Sequence, residues 1–443
     1  MKRMVIMITF LIGLSGVATG NSAELNDGKY LSASPYLSSL IDEAITENND
    51  IKSMQEKLLG MKEKTDAAGS LPDPMLGLSV LNLPTSSYRF DEQAMTQKQI
   101  AISQKVPWYG KRSLQSSMAE KNYQKYEAII LAKKIDLSRK IAQLYYDLGI
   151  VETSLRMNKK LIEMLSQTVS IAEARYSSGN GAQQDIFQAQ VELSKLLNEK
   201  NNLEEMKQMK VLKLNELINR DKVSVIKPPV DLKEPLIELT LSDLKTIMIE
   251  NNPLLMTQKR EIENTRIETD LAKKEYYPDI EFKLAYGQRD KDMTGKNLDD
   301  FLSASVTFPI PLWKNSKQDK ILNSAEKENA SATASYQNLM VALPYQIEGL
   351  VTEIDTARKN YHLYKNTLIV QADQWARSAL SNFEVGKVDF GTMMNARIRL
   401  LRLQLQAEMY IYSIYQKQAE LEALIGKPVF GNFTKHGKDI THE

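Results

Sequence analysis

The sequence contains one long pattern twice, and this duplication limits the folds that are open to it. Residues 179–189 begin with a glycine and end in Gln-Ala, and residues 386–396 begin with a glycine and end in Asn-Ala. Asn-Asn pairs at 48–49 and 251–252 mark an earlier pair of matching points. A period of about 200 residues is far longer than the 20–50-residue unit of a solenoid, so the pattern predicts a duplicated half-protein.

The duplication also predicts the domain boundaries. A linker is indicated by Pro228, Pro229 and Pro235, because closely spaced prolines interrupt regular structure. The predicted organisation is a signal peptide at 1–23, a first repeat at 24–220, a linker at 221–241, a second repeat at 242–427 and a C-terminal tail at 428–443.

Each repeat predicts a pair of strands, at 74–106 in the first and at 278–310 in the second. Apolar residues alternate with polar or small ones through Ile280–Tyr286 and through Leu302–Ile310. Strands of about 9–11 residues are typical of tilted transmembrane strands. A half-buried sheet of a soluble protein shows the same alternation, so the strands alone leave both interpretations open.

The helical segments are very long. Residues 111–178 contain no proline and predict one helix of about 100 Å, and residues 314–385 predict a second, with a kink at Pro344. After tips at 177–185 and 384–392, apolar residues recur at spacings of three and four, which predicts coiled-coil packing. Helices of this length need neighbours along their whole length.

The N-terminus predicts export. Lys2 and Arg3 precede the apolar stretch Met4–Leu14 and then small residues, the pattern of a secretory signal peptide. The chain has no cysteine, and its net charge of +1 gives no indication of a nucleic-acid partner. With no later apolar stretch long enough for a membrane helix, any membrane crossing must use strands, and four strands cannot close on themselves. The sequence therefore predicts an oligomer.

These turns and strands together resemble the TolC family of outer-membrane channel-tunnels. The resemblance rests on Tyr176–Gly179 with Asp185–Ala189 and on Phe383–Gly386 with Met394–Ala396, and it covers nearly all of the mature chain. It implies a mainly α fold with transmembrane β-strands. In that fold, three protomers form a twelve-stranded outer-membrane barrel and a periplasmic tunnel of long coiled-coil hairpins.

The resemblance implies partners as well. The chain is expected to be a homotrimer surrounded by outer-membrane lipid, whose tips contact a periplasmic adaptor (a membrane fusion protein). The adaptor would join it to an inner-membrane pump of the resistance–nodulation–division type. The tip residues implied in adaptor contact are Gly179, Asp185, Ala189, Gly386, Asp389 and Ala396.

Members of this family often narrow at the tip through carboxylates that follow the second turn. The matching positions here are Thr392 and Asn395, which are not acidic, while Asp389 lies inside the turn. These three residues are the candidate constriction residues. We therefore predict closure by hydrogen bonds or packing in place of an acidic ring.

The cargo stays open at this point. Residues 104–112, Gln-Lys-Val-Pro-Trp-Tyr-Gly-Lys-Arg, resemble the segment after the second strand in a CzcC-like branch that serves heavy-metal cation exporters. An exporter of drugs or other organic solutes and a channel for protein secretion are alternatives. A periplasmic coiled-coil adaptor or scaffold is an alternative of another class, but an adaptor would carry one hairpin, without two strand pairs.

No catalytic, cofactor or metal site is predicted. The histidines are His362, His436 and His442. His362 has no second ligand at helical spacing, and His436 and His442 lie among Lys and Asp in a tail that is interpreted as solvated, with a metal-binding tail as the alternative. The carboxylate pairs Glu204-Glu205 and Asp299-Asp300 are interpreted as solvated charges, and the scattered methionines as core side chains. We therefore expect a passive conduit rather than an enzyme.

Overall fold

A computed structural model of the chain describes residues 30–221, 224–229, 232–235 and 239–429. The predicted signal peptide, most of the predicted tail, and both His436 and His442 lie outside these residues.

The first half of the chain consists of two short helices, two strands and two long helices. In chain order these are α1 (Pro35–Glu47), α2 (Asn49–Ala68), β1 (Met75–Leu81), β2 (Gln97–Val106), α3 (Lys111–Ser177) and α4 (Gln183–Ile218). The helix α3 runs for 67 residues, as the absence of proline predicts.

The second half repeats this order with one addition. Its elements are α5 (Leu241–Asn251), α6 (Pro253–Lys274), β3 (Ile280–Gln288), β4 (Phe301–Thr307), α7 (Gln318–Leu363), a π-helical turn (Tyr364–Leu368), α8 (Ile369–Glu384) and α9 (Phe390–Ile425). The helix α7 extends on both sides of Pro344. The helical geometry changes at the π turn, between α7 and α8, and no residue pattern in the sequence predicts this change.

The four strands form one antiparallel sheet in the order β1-β2-β3-β4. The two hairpins are joined through β2 and β3, which pair Lys98 with Gln288 at one end and Val106 with Ile280 at the other. The edge strands β1 and β4 have seven residues each, shorter than the nine to eleven predicted. The strands nevertheless lie inside the two predicted strand segments.

Buried side chains form three clusters along the helices. One joins α1, α3, α4 and α9, one joins α5, α7 and α9, and one lies at the hairpin tips. Representative members are Leu40, Ile141, Leu148 and Leu214 in the first, Leu244, Met248, Ile347 and Ile414 in the second, and Leu165, Ala189, Phe390 and Ala396 in the third. The clusters thus hold the long helices together from the hairpin tips to the level of α1 and α5.

An asparagine closes each half of the chain on itself. Asn48 caps α2 and donates from Nδ2 to the carbonyl oxygen of Leu217 at the end of α4, at 3.2 Å. Asn252 caps α6 and donates in the same way to Leu424 at the end of α9, at 2.6 Å. The two halves therefore share a closing hydrogen bond at matching positions.

Among the helices of the described residues, none is both long enough and apolar enough to cross a membrane.

Candidate functional site

One face of the sheet is apolar and open. The pairing register places large apolar side chains in rows across the four strands, because directly paired residues of antiparallel strands share a face. One row is Leu78, Ile100, Tyr286 and Leu302, and the next is Leu76, Ile102, Leu284 and Ala304. Leu78 is 76% exposed and Leu302 is 74% exposed. A continuous apolar patch of this kind marks a surface that contacts lipid or another protein.

The opposite face of the sheet carries mostly small and polar side chains. Its rows are Gly77, Ala101, Ala285 and Ser303, and then Met75, Ser103, Lys283 and Ser305, in which Met75 at the edge is the large apolar exception. The central rows of the two faces therefore differ in polarity. Such a difference suits strands that have an apolar environment on one side and water on the other.

The junction between the sheet and the helices is built around Asp279. Lys111, which is 4% exposed, places its Nζ 2.9 Å from Asp279 Oδ1 and 3.3 Å from Glu275 Oε1. The backbone N–H of Trp108 donates to the same Asp279 oxygen at 3.1 Å, and the Trp108 ring stacks on Tyr277 with centroids 5.2 Å apart. Residues 104–112 therefore form a joint that fixes the start of α3 to the start of β3.

This joint holds a charged carboxylate. Burial alone would raise the pKa of Asp279, but hydrogen bonds from Lys111 and from the Trp108 N–H outweigh it and hold the pKa below its usual range. Asp279 is a functional residue that no sequence pattern predicts. The only local signal was its position directly after Pro278, at the start of a predicted strand.

The first hairpin tip turns at Gly179, whose φ of 74° is one that glycine adopts without strain. The N–H of Asn180 donates to the carbonyl oxygen of Arg175 at 2.9 Å and so terminates α3. Asp185 lies in the first turn of α4, where a negative charge is favourable. Ala189 is fully buried, so it packs inside the tip and presents no side chain to a partner.

The second tip has the same turn and a stronger cap. Gly386 has a φ of 75°, and the N–H of Lys387 donates to the carbonyl oxygen of Asn382 at 2.8 Å. Asp389 caps α9, because its Oδ1 accepts from the Thr392 N–H at 2.8 Å and its Oδ2 from the Thr392 hydroxyl at 2.6 Å. Ala396 is fully buried, like its counterpart in the first tip.

The three candidate constriction residues have different surroundings. Asp389 is exposed and hydrogen-bonded to Thr392, and these bonds hold the pKa of Asp389 below its usual range. Thr392 is half-buried, and Asn395 is exposed on α9. The side chain of Asp389 is thus already occupied in capping a helix.

The two tips pack against each other. The guanidinium carbon of Arg175, on α3, lies 4.4 Å from the ring centroid of Phe383, on α8. Phe383 in turn packs edge-on against Phe390 of α9, with centroids 5.8 Å apart. A Cβ atom added at Gly391 would lie 3.0 Å from Gln188 Nε2 of α4. Arg175 could not be predicted from the sequence, because its contact lies in the other half of the chain.

Within the ranges that the structure describes, no group of three or more His, Asp or Glu side chains is placed to hold a metal ion. His362 Nε2 lies 3.2 Å from Glu234 Oε1, which is also 3.0 Å from Arg358 Nε. Glu204 and Glu205 are exposed on α4.

Three comparisons with known proteins agree with this geometry. The model of the family described as outer membrane efflux protein matches residues 40–220 and 246–427. The cobalt-zinc-cadmium resistance protein CzcC of Cupriavidus metallidurans is 19% identical over 318 residues, which are 72% of this chain and 74% of that protein.

Solved structures share the fold across most of their length. The outer membrane protein VceC of Vibrio cholerae superposes with a TM-score of 0.74 at 18% identity, covering 88% of this chain and 96% of VceC. The structure of CusC, described in terms of folding and transmembrane channel formation, superposes with a TM-score of 0.76 at 14% identity, covering 92% and 96%.

Proposed function

This chain belongs to the outer membrane efflux protein family, and from that premise we propose that three copies of it form a passive conduit that exports divalent metal cations. Family membership and the shared fold confirm the prediction of a mainly α, TolC-like chain with four strands. They also confirm the predicted location in the outer membrane, with the helices in the periplasm.

The exposed sheet carries the proposal. Its edge strands β1 and β4 each have one side without a strand partner in the described protomer. Backbone N–H and C=O groups cannot be left unpaired in a bilayer. Pairing β4 of one copy with β1 of the next removes every edge, and three copies give twelve strands. The apolar rows then face lipid and the small and polar rows face the pore.

The helices support the same arrangement. Exposed apolar side chains lie along α4, at Phe187 and Val191, and along α8, at Val370 and Trp375, near the same end of the helical layer. The helix α4 packs mainly on α3, and α8 packs on α9, so these side chains lie at opposite sides of the helical layer. Contact between α8 of one copy and α4 of the next would cover both, and the helices would enclose a periplasmic tunnel.

We propose metal cations as the cargo because the relative CzcC is named for cobalt, zinc and cadmium resistance. A conduit does not have to bind its cargo tightly, so the pore does not need a set of side chains that coordinate the metal cation. We assign selection of the cation to an inner-membrane pump of the resistance–nodulation–division type. A periplasmic adaptor would reach the channel at the tips around Gly179 and Gly386.

The channel itself is tested by fractionation and conductance. We expect the protein in the outer membrane as a heat-modifiable trimer, and we expect the purified trimer to form discrete channels in a planar bilayer. A soluble periplasmic monomer without conductance would overturn the proposal, whatever the cargo.

The cargo is tested by deletion of the gene in its native host. We expect growth to become more sensitive to Co²⁺, Zn²⁺ and Cd²⁺, with unchanged sensitivity to organic dyes and antibiotics. Re-expression of the wild-type gene should restore metal resistance. Sensitivity to organic compounds alone would assign the channel to a drug exporter, and loss of a secreted protein would assign it to secretion.

Closure of the pore is tested at Asp389. Asp389→Asn removes the charge but keeps an oxygen that can cap α9, whereas Asp389→Ala removes both. Because Asp389 is occupied by Thr392, we expect Asp389→Asn to leave conductance and its response to divalent cations unchanged. The matched control is Asp185→Asn in the first tip. If divalent cations block the wild-type channel and Asp389→Asn alone relieves the block, the pore closes through an acidic ring.

A further inference from the structure

A cleft of about 1240 Å³ lies where the helices meet the sheet. It is bounded by the end of α2, the start of α3 and the end of α6, so all of it belongs to one protomer. The residues that give it its character are the cations Arg112, Lys273 and Lys274 and the aromatic residues Trp108, Tyr109 and Tyr277. The cleft takes no part in the conduit proposed above.

The cleft adjoins the apolar face of the sheet. Val106 ends β2, pairs with Ile280 and lines the cleft. Its position in β2, two residues from Gln104, which pairs with Phe282, places it on the face that carries the large apolar rows. Tyr109, at the mouth of the cleft, is 89% exposed. Aromatic side chains at the end of an apolar band are typical of the level of lipid headgroups.

Two of the three basic side chains, Arg112 and Lys274, have no ion-pair partner among the described residues and can attract an anion. Lys273 forms an ion pair with Asp270 at 2.9 Å. Arg112 donates from Nε to the carbonyl oxygen of Gly69 at 2.7 Å, a neutral partner. Among the described residues, no carboxylate lies within 4.0 Å of the charged nitrogens of Arg112 or Lys274. The carboxylate that lines the cleft, Asp270, is paired with Lys273, so the charges of Arg112 and Lys274 face the cleft without an ion-pair partner within 4.0 Å.

The surrounding groups suit a phosphate. Ser113, Ser116 and Ser117 line the cleft beside Arg112 and can donate from their hydroxyls. A guanidinium binds two phosphate oxygens at once, and a lysine ammonium adds a point charge. The neighbouring aromatic rings and Val106 offer an apolar path for the part of the ligand that follows the phosphate.

We propose that this cleft binds the phosphate of a phospholipid headgroup from the periplasmic leaflet of the outer membrane. The inference rests on the proposed function, because the sheet must lie in that membrane for the cleft to meet the leaflet. Each protomer then holds one lipid at the base of the sheet. This lipid bridges the membrane and the first turn of the long helix α3.

The test is lipid retention by the full-length protein purified in detergent and exposed to phosphatidylglycerol. Native mass spectrometry should show up to one bound phosphatidylglycerol per protomer. Because each lysine or arginine near an anionic lipid contributes about 1 kcal/mol, we expect Arg112→Gln and Lys274→Gln each to weaken retention about fivefold. Together they should weaken it about 25-fold. Arg266→Gln, an exposed position on α6 two turns before Lys273, is the matched control and should have no effect.

Two results would overturn the proposal. Retention by the double variant equal to that of the Arg266→Gln control would show that lipid binds elsewhere. Displacement of phosphatidylglycerol by millimolar inorganic phosphate would show a site for free phosphate instead of lipid. Conductance is measured on the same preparations. If the wild-type protein conducts but the double variant retains as much lipid as wild type, the lipid site is refuted and the channel is not. If the wild-type protein does not conduct, the proposed channel is refuted.

Discussion

In the first half of the chain, the helix that leads to the tip runs for 67 residues without interruption, whereas its counterpart in the second half is divided by the π turn at Tyr364–Leu368. A π turn inserts one residue into a helix and changes which side chains face a neighbour. Tyr364, at the start of this turn, packs edge-on against Tyr410 of α9, with centroids 5.3 Å apart. The two halves thus reach the same hairpin with different internal packing.

The ends of the two halves differ in the same way. Asn215 and Glu422 occupy matching buried positions near the ends of α4 and α9. Asn215 Nδ2 donates to the carbonyl oxygen of Ser224, whereas Glu422 accepts backbone N–H groups of Ser32 and Val429. The duplicated geometry has therefore been kept while its chemistry changed, and substitutions at matching positions should have unequal effects.

The largest inequality is expected where the last helix of each half ends. Gly426 has a φ of 87°, and a Cβ there would lie 2.1 Å from the carbonyl oxygen of Asn251. Asn219 adopts a left-handed φ of 62° and donates from Nδ2 to Glu47 O at 3.4 Å. We expect Gly426→Asn to destabilise the protein by about 3–5 kcal/mol, through backbone strain and the clash. Asn219→Gly should cost only about 0.5 kcal/mol.

Thermal unfolding in detergent, followed by circular dichroism, measures this difference. Equal decreases in the unfolding temperature for Gly426→Asn and Asn219→Gly would mean that the two helix ends have the same backbone environment. That result would contradict the expected difference between the two halves.

The next inequality is expected at the buried pair of matching positions. Glu422→Gln replaces one carboxylate oxygen by an NH₂ group that faces a backbone N–H, so we expect a loss of about 2 kcal/mol. Asn215→Ala removes one neutral hydrogen bond and should cost about 1 kcal/mol. Chemical denaturation of both variants, with Glu422→Asp as a control that keeps the charge, ranks the effects. A smaller loss for Glu422→Gln than for Asn215→Ala would contradict the ranking.

The closing asparagines should differ less. Asn252 is 1% exposed and its bond to Leu424 O is 2.6 Å, whereas Asn48 is half-buried and its bond to Leu217 O is 3.2 Å. Both cap a helix, and loss of a cap costs about 0.5–2 kcal/mol. We expect Asn252→Ala to lie near the top of that range and Asn48→Ala near the middle. Amide hydrogen exchange should become faster in the first turn of α2 in Asn48→Ala and in the first turn of α6 in Asn252→Ala.

The smallest effect is expected from an ion pair that only the first half contains. Arg220 Nε donates to Glu43 Oε1 at 2.6 Å, and this bond lowers the pKa of Glu43 below its usual 4.5. Its stabilisation is present above pH 4.5 and is lost as the pH falls through the lowered pKa. The pair is partly exposed, so Glu43→Gln should cost less than about 1 kcal/mol at neutral pH.

This pH dependence is checked by thermal unfolding between neutral pH and pH 3. The difference between wild type and Glu43→Gln should shrink as the pH falls below about 4.5. A difference that stays constant down to low pH would show that Glu43 acts through packing.

Local patterns explain which parts of this structure could be predicted from the sequence. Alternation identified the strands, and the glycines at 179 and 386 identified the tips, because a strand face and a left-handed turn depend on neighbouring residues. The joint between Lys111 and Asp279 spans 168 residues of sequence, and the bond from Ser32 to Glu422 spans 390. No local signal specifies such partners, so neither could be predicted.

The π turn and the capping role of Asp389 are not among the features predicted from the sequence. Residues 364–368 contain no proline or glycine that would indicate an irregular helix. The family resemblance makes Asp389 a candidate constriction residue and does not indicate a helix cap. In the structure, Asp389 accepts hydrogen bonds from Thr392, three residues later, and so caps α9. An aspartate just before a helical segment is a common N-cap, so this role could have been predicted from the sequence.

The asparagine bonds that close each half have a consequence for the proposed trimer. Since Asn48 and Asn252 each tie the beginning of a half to its own end, a single half already holds the bond that completes it. In the proposed trimer, six such halves would alternate around one axis, each closed by its own asparagine. Substitutions in one half could then change alternate positions of that ring without opening the other half.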